Sequence, residues 1–350
     1  MKILYIAGRE ESYSRTRIVQ QALRMQGLEV KGIFPPDRSF KHYPRLILQG
    51  LRSARDCDVI IVGFYGQVIL PFFKILTRKP ILFDMYIATY DTMVNDRNRA
   101  RPGSIMARIY HWLDRLCCTW SKAIVLETQD HIEDFARKFK TPIDKFHRVF
   151  LAVDERLIYP RPQRKNSDRF LVHFHGEYAP FHGVDTILRA AQLLRDESIE
   201  FQVVGRGITY NDCRELARAL DLHNVQFIDP VPYEQLADLI ARADVCLGIF
   251  GGNARMLRLT TNKVIESIAM HKPLITGKNQ PVQELLRDRH SALLIERANP
   301  EALAKAIREL QDDASLRDKI AEEGYRVFLQ HCTLEQLGKG FNKILQEMAK

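Results

Sequence analysis

Two rhythms of apolar and polar positions alternate along the chain. Short continuous apolar runs read as strands: KILYIAG (2–8), LEVKGIF, CDVIIVGF, KPILFD and SKAIVLE. Between them lie stretches with apolar residues at helical spacing. SRTRIVQQALRMQG (14–27) predicts a helix closed by Gly27, and residues 105–120 predict another with Ile109, Trp112, Leu113 and Leu116 on its stripe. After the Pro-, Arg- and Lys-rich segment 159–169 the rhythm restarts. RFLVHFHG, IEFQVVG, NVQFID, ADVCLGIF, KPLIT and SALLIE predict strands, with helices over about 184–194, 212–220, 233–241, 263–270 and 300–310. Two further helical stretches, 315–330 and 334–348, end the sequence. Such alternation indicates parallel sheets covered on both faces. The expectation is therefore α/β, with two doubly wound, Rossmann-like parallel-sheet domains facing across a ligand cleft at the carboxyl ends of their strands. Residues 1–158 form the first and 170–333 the second. Residues 159–169 link them, and a helix at about 334–350 packs back on the first.

Composition narrows the class. At 350 residues, with 46% hydrophobic and 27% charged, the chain can bury two cores. Met1-Lys2 leads directly into a strand without a leader-peptide pattern, and the most apolar window, Val59 to Phe73, is broken by Gly, Gln and Pro. The six cysteines form no CxxC pair and have no histidine at metal spacing, as expected of reduced thiols in a cytoplasmic protein. The net charge of +9 is unevenly spread: residues 1–165 hold 29 Lys and Arg against 17 Asp and Glu, and residues 166–350 hold 23 against 26. The first half should meet something anionic. No zinc finger, basic zipper or RNP pattern points to nucleic acid.

Gly248 to Gly277, GIFGGNARMLRLTTNKVIESIAMHKPLITG, carries the chemistry. A strand tip opens into a Gly-Gly loop. Arg255, Arg258 and Lys263 follow, and a helix then carries Glu266 in its first turns and ends at Pro273. Glycines, cations and a helix N-terminus suit phosphate, and a carboxylate suits sugar or ribose hydroxyls. The plain alternative is a surface loop with solvated charges.

With these pieces in order, the second half resembles glycosyltransferase family 4 (glycosyl transferases group 1), retaining enzymes of the GT-B fold that use nucleotide-diphosphate sugars. HGEYAPFHGVDTILRA, FQVVGRG, NVQFIDPVPYEQLADLIARADVCLGIF and NKVIESIAMHKPLITG carry the resemblance over most of residues 170–280, and FLAVDERLIYP resembles the family's hinge. GFYGQVIL, KPILFDMYIATYDTMVNDR and LGIFGGNAR…NKV are similar to a bacterial subgroup linked to surface-polysaccharide assembly.

The resemblance implies that Glu266 accepts from the ribose hydroxyls; otherwise it is a helix-start glutamate facing the dipole. The partner glutamate eight positions earlier is replaced by Arg258. Glu177 and His182 stand where the family carries two diphosphate-binding cations, so the positive charge is expected on Arg255, Arg258 and Lys263 instead. His182 is a weaker candidate for a phosphate or sugar contact. Arg206 either adds to the positive charge or projects into solvent. Gly8, Gly176, Val231, Tyr233, Phe250, Gly251, Gly252, Asn262 and Val264 complete the implied donor site. Asp84 either orients a reacting hydroxyl or caps the next helix. The catalytic set is thus Asp84, Arg258, Lys263 and Glu266. Ser14, Arg15, Asp91, Asp96 and Arg97 are assigned to the acceptor side, with Ser14 alternatively a helix cap.

The implied reaction moves a sugar from a UDP- or GDP-linked donor to a glycan or polyprenyl-diphosphate-linked acceptor with retention, without a metal or other cofactor. The alternatives are a catalytically impaired GT-B protein that binds a nucleotide sugar or a partner enzyme, and a nucleotide-sugar epimerase. Two basic segments, Lys41 to Arg55 with Leu46, Ile47, Leu51 and Ala54, and Arg97 to Trp112, suggest peripheral contact with an anionic membrane at its inner face. Alternatively their apolar residues pack on the first sheet and their arginines are solvated.

Overall fold

The computed structural model describes residues 1–37, 39–96, 99–162, 168–252 and 260–349. It contains two compact units, one of residues 1–150 with the C-terminal segment from Leu334, the other Leu151–Thr333. The first unit thus ends eight residues before the boundary expected from sequence.

In the first unit β1 (Lys2–Ile6), β2 (Glu29–Ile33), β3 (Val59–Val62), β4 (Ile81–Asp84), β5 (Ala123–Leu126) and β6 (Phe146–Arg148) form one parallel sheet in the order β2-β1-β3-β4-β5-β6. Central strands such as β3 and β5 are buried along their whole length, hence their unbroken apolar sequences. α1 (Ser14–Met25) covers one face together with the C-terminal α13 (Leu334–Ala349). α2 (Tyr43–Ser53), α3 (Leu70–Leu76), α4 (Ile105–Trp120) and α5 (Gln129–Phe139) follow one another across the opposite face, as right-handed crossovers require.

Two sequence expectations are corrected here. Ser14 does not cap α1: the cap position is Tyr13, without a side-chain hydrogen bond. In α4, Ile109 and Trp112 face outward, and Ala107, Asp114, Cys117 and Cys118 are the buried positions. A carboxylate on the inward face is satisfied because Asp114 accepts from the backbone N–H groups of Thr89 and Tyr90 at 2.9 and 2.8 Å. Periodicity found the helix, but of the stripe it selected Leu113 packs on the core and Leu116 is half-buried, while Ile109 and Trp112 face outward.

The second unit repeats the plan. β7 (Phe170–His175), β8 (Ile199–Val204), β9 (Val225–Ile228), β10 (Val245–Leu247), β11 (Leu274–Gly277) and β12 (Leu293–Ile295) pair in parallel in the order β12-β11-β10-β7-β8-β9. The helices are α6 (Val184–Leu193), α7 (Tyr210–Ala219), α8 (Tyr233–Arg242), α9 (Asn262–Ala269), the short α10 (Gln280–Gln283), α11 (Pro300–Asp312) and α12 (Ala314–His331). Strand order reverses between β7 and β10 here, and between β1 and β3 in the first unit. Loops diverge at such switch points and leave a crevice at the carboxyl ends of the strands.

Candidate functional site

At the β7/β10 switch point two helix N-termini, α6 and α9, begin. The loops that lead into them touch through their backbones: the Phe250 N–H donates to the His182 carbonyl at 3.0 Å, and the Gly251 N–H to Phe181 at 3.2 Å. Gly183 has φ +67°, and a Cβ there would lie 2.6 Å from the Gly251 nitrogen, so a side chain is excluded. Gly176, at the end of β7, has φ +137°, and its missing Cβ leaves the space occupied by the Lys263 side chain.

Lys263 lies in the first turn of α9 and is buried. Its Nζ stands 5.1 Å over the Phe174 ring, and burial lowers its ammonium to about 7 despite the nearby Glu266 and Glu177 charges. His182, which stands where the resembling family carries a cation, is also buried, and its Nδ1 donates to the Glu177 carbonyl. Burial and then Lys263 hold it well below the usual imidazole range. Below about pH 7 Lys263 therefore supplies positive charge beside a neutral His182. The buried hydroxyls of Thr260 and Thr261, just before α9, have no hydrogen-bond partner among the described residues.

Glu266 ends a buried polar chain. Gln202 Nε2 donates to the Leu239 carbonyl at 3.3 Å and to His173 Nδ1 at 2.7 Å. His173 Nε2 then donates to His175 Nδ1 at 3.0 Å, and His175 Nε2 donates to Glu266 Oε2 at 2.7 Å. The Tyr233 hydroxyl donates to Oε1 at 2.8 Å. A donor at Gln202 fixes every later direction in the chain. Burial would raise the Glu266 carboxyl, but His175, Tyr233 and Lys263 outweigh it and hold it below the usual range. Each oxygen keeps lone pairs for another donor.

The predicted donor residues come together only in part. Gly176, Phe250, Gly251, Lys263, Val264 and Glu266 belong to these loops and α9, and Tyr233 reaches them through Glu266. Gly252 and Asn262 border the same turn, and Val231 lies two residues before α8. Arg206 is exposed, with Nε bonded to Asp229 at 2.8 Å and its guanidinium over Tyr210, so the solvent-facing alternative describes it. Arg255 and Arg258 lie outside the described residues.

Sequence reasoning overlooked His173, His175 and Gln202. The signal was present: two histidines two apart on an otherwise apolar strand share one face.

In the first unit Asp84, at the end of β4, is fully buried and accepts a two-point bond from Arg15, 3.0 Å from Nε and 2.7 Å from Nη2. Neither side of the Asp84 alternative foresaw this pair, and Arg15 is turned inward with it. Asp91 is bound by Lys138 at 2.6 Å. Asp96 ends the π-helix Asp91–Asp96, and Arg97 lies outside the described residues. Gly8 lies at the β1/β3 switch point, where its N–H donates to the Phe64 carbonyl and its carbonyl accepts from the Tyr43 hydroxyl. Beside it Tyr13 stacks on Phe64 with centroids 4.8 Å apart, Tyr86 meets Phe64 edge-on, and Arg9 lies over Tyr13. A groove of about 1050 Å³ opens near the ends of β1 and β2, lined by Glu10, Arg17, Gln20, Arg24, His42 and Arg45 among others. Among the described residues no three His, Cys, Asp or Glu side chains group to hold a metal ion.

The family model described as glycosyl transferases group 1 matches residues 155–327, the span containing β7 to β12 and α9. Residues 155–327 belong to the glycosyl transferases group 1 family. The match supports glycosyltransferase activity. The alpha-D-kanosaminyltransferase of Streptomyces kanamyceticus is 24% identical over 312 residues, 85% of this chain and 78% of its own length. Among solved structures, sucrose-phosphate synthase from Thermosynechococcus elongatus superposes with a TM-score of 0.80 at 14% identity, each chain covered to 99%. The Anabaena HepE protein, solved with UDP and glucose, gives 0.74 at 14% identity, again with 99% of each chain. These likenesses establish the two-domain α/β architecture of GT-B proteins.

Proposed function

We propose that this glycosyltransferase moves a sugar from a UDP- or GDP-linked donor to a glycan or polyprenyl-diphosphate-linked acceptor, with retention of anomeric configuration. The observation that carries the reading is the pairing of Lys263 and Glu266 on one helix at the switch point of the matched domain. Glu266 accepts from the two ribose hydroxyls with the lone pairs left free by His175 and Tyr233. Lys263, the Thr260 and Thr261 hydroxyls and the N-termini of α6 and α9 receive the diphosphate. As the sugar leaves, negative charge grows on the diphosphate, and fixed dipoles and a buried cation stabilise it without reorganising. The likeness to the kanosaminyltransferase and to HepE, solved with UDP, supports a nucleotide-sugar donor.

On the acceptor side, the groove lined by Arg17, Arg24 and Arg45 suits an anionic portion. No cofactor is required, since cations and helix N-termini perform the leaving-group role.

The test is a thermal-shift screen of UDP- and GDP-sugars followed by turnover. A ligand at 100 times its Kd adds about 2.7 kcal/mol of stability. NMR of the product should show the donor's anomeric configuration. An inverted linkage overturns the retaining assignment, and binding without turnover favours the impaired, binding-only alternative.

A further inference from the structure

The outer face of the first unit is apolar where a water-facing helix row should be polar. On α4, Ile105 is 78% exposed, and Met106, Ile109 and Trp112 are exposed with it. On the neighbouring α3, Ile75 is 70% and Leu76 61% exposed, with Phe72 beside them and Val68 just before the helix. Both helices lie on the same side of the sheet, and α3 begins beside the C-terminal half of α4, where the Gln67 carbonyl meets the Cys117 thiol. Scattered apolar residues need no explanation, but the exposed stripe Ile105, Ile109 and Trp112 on one helix face, with Met106 beside it, does. The exposed charge on the two helices has one sign. Lys74, Arg78, Arg99, Arg101, Arg108 and Arg115 are exposed, and the only carboxylate in either helix is the buried Asp114.

We infer that the α3–α4 face docks the protein on an anionic lipid surface, with Trp112 and its apolar neighbours at the acyl boundary and the arginines among the headgroups. The charge pattern decides the occupant: an apolar stripe flanked by cations and free of carboxylates matches a lipid interface. In α2, by contrast, Leu46 is buried and Ile47 and Leu51 lie on the core, as Ala54 just after the helix does, so that segment does not contribute the apolar stripe expected of it. No helix among the described residues is long and apolar enough to cross a membrane.

The protein should sediment with phosphatidylglycerol vesicles at low salt, remain free of phosphatidylcholine vesicles, and be released as ionic strength rises. Each exposed cation changed to Gln should weaken binding about fivefold. The triple variant Ile105→Ser, Ile109→Ser, Trp112→Ser alters only exposed positions and should lose at least tenfold with an unchanged circular dichroism spectrum. Brominated acyl chains should quench the fluorescence of the parent protein, and Trp112→Phe should remove that quenching. No binding to phosphatidylglycerol at low salt overturns the inference. So does full binding by the triple variant, or self-association through this face without vesicle binding.

A second inference rests on the donor-site reading above and comes from the buried polar chain. We propose that Gln202, His173 and His175 are positioning residues that fix the Glu266 carboxylate for the ribose diol. His175→Phe removes the donor to Glu266, whereas His175→Gln keeps an amide donor there. UDP should bind at least tenfold more weakly to the Phe variant and be largely restored in the Gln variant. Its loss of affinity on acidification should begin at higher pH in the Phe variant, because a carboxylate relieved of a stabilising donor protonates more readily. Unchanged UDP binding by Glu266→Gln would defeat the donor-site reading itself. Weakened binding by Glu266→Gln with no effect of His175→Phe defeats only the positioning role.

Discussion

Lys263 gives the donor site a pH signature. Burial lowers its ammonium from 10.5 to about 7, so in the empty site the charge is lost as pH rises through that value. A diphosphate beside it favours the charged form. Below pH 7 the cation is already present when the ligand arrives; above it a proton must enter with the ligand. At pH 8 about nine-tenths of empty sites hold the neutral amine, and UDP binding should take up about 0.9 proton. The last ionisation of a phosphate, near pH 6, adds little there. Affinity should fall about tenfold per pH unit above 7, about 1.4 kcal/mol each, until the pKa of the complex is reached. The ligand-free fold should show the opposite trend and gain stability above pH 7, because the unfolded chain then holds a proton that the folded one does not. Isothermal titration at pH 8 in two buffers of different protonation enthalpy measures the uptake. Lys263→Ala should abolish it and remove a charge-assisted bond of about 1.5–3 kcal/mol, weakening UDP about tenfold or more. No uptake by the parent, or equal uptake by Lys263→Ala, refutes this role.

Three further outcomes are expected. Asp84→Asn leaves the Arg15 guanidinium buried without a counter-charge and should destabilise the protein by about 3–5 kcal/mol in denaturant titration; lost turnover at unchanged stability would instead make Asp84 a catalytic group. Gly183→Ala forces a Cβ against the Gly251 backbone at positive φ and should cost more than about 1 kcal/mol, together with nucleotide affinity, in a thermal melt with and without UDP. Arg258→Ala should weaken UDP and GDP about tenfold; parental binding by both Arg258→Ala and Lys263→Ala would place the diphosphate elsewhere.

Much of the architecture was legible because the parallel strands are buried along both faces and so carry unbroken apolar runs. β3, β5 and β8 fall inside the segments expected, and residues 105–120 form α4 as expected. β6, three residues long, gave too short a signal. Which α4 stripe turns inward could not be read, because Asp114 is accepted inside by backbone donors from a distant loop. The Arg15–Asp84 pair joins residues 69 apart, and local spacing holds no trace of such a partner. Lys263 and Glu266 were legible because they share one helix turn with the loop that precedes it. Of the chain behind Glu266 only the histidine pair of β7 left a signal, because Gln202 comes from a separate strand that only the sheet brings beside them.

The central claim is that α9 presents Glu266 to the ribose of a nucleoside diphosphate. Its most direct test is titration of UDP and GDP into the parent protein and Glu266→Gln, with melting curves of both. The account predicts that at least one nucleotide binds the parent and binds the variant about tenfold more weakly or worse, with the ligand-free variant melting close to the parent. Equal dissociation constants for parent and variant, or no binding of either nucleotide to the parent, would contradict it.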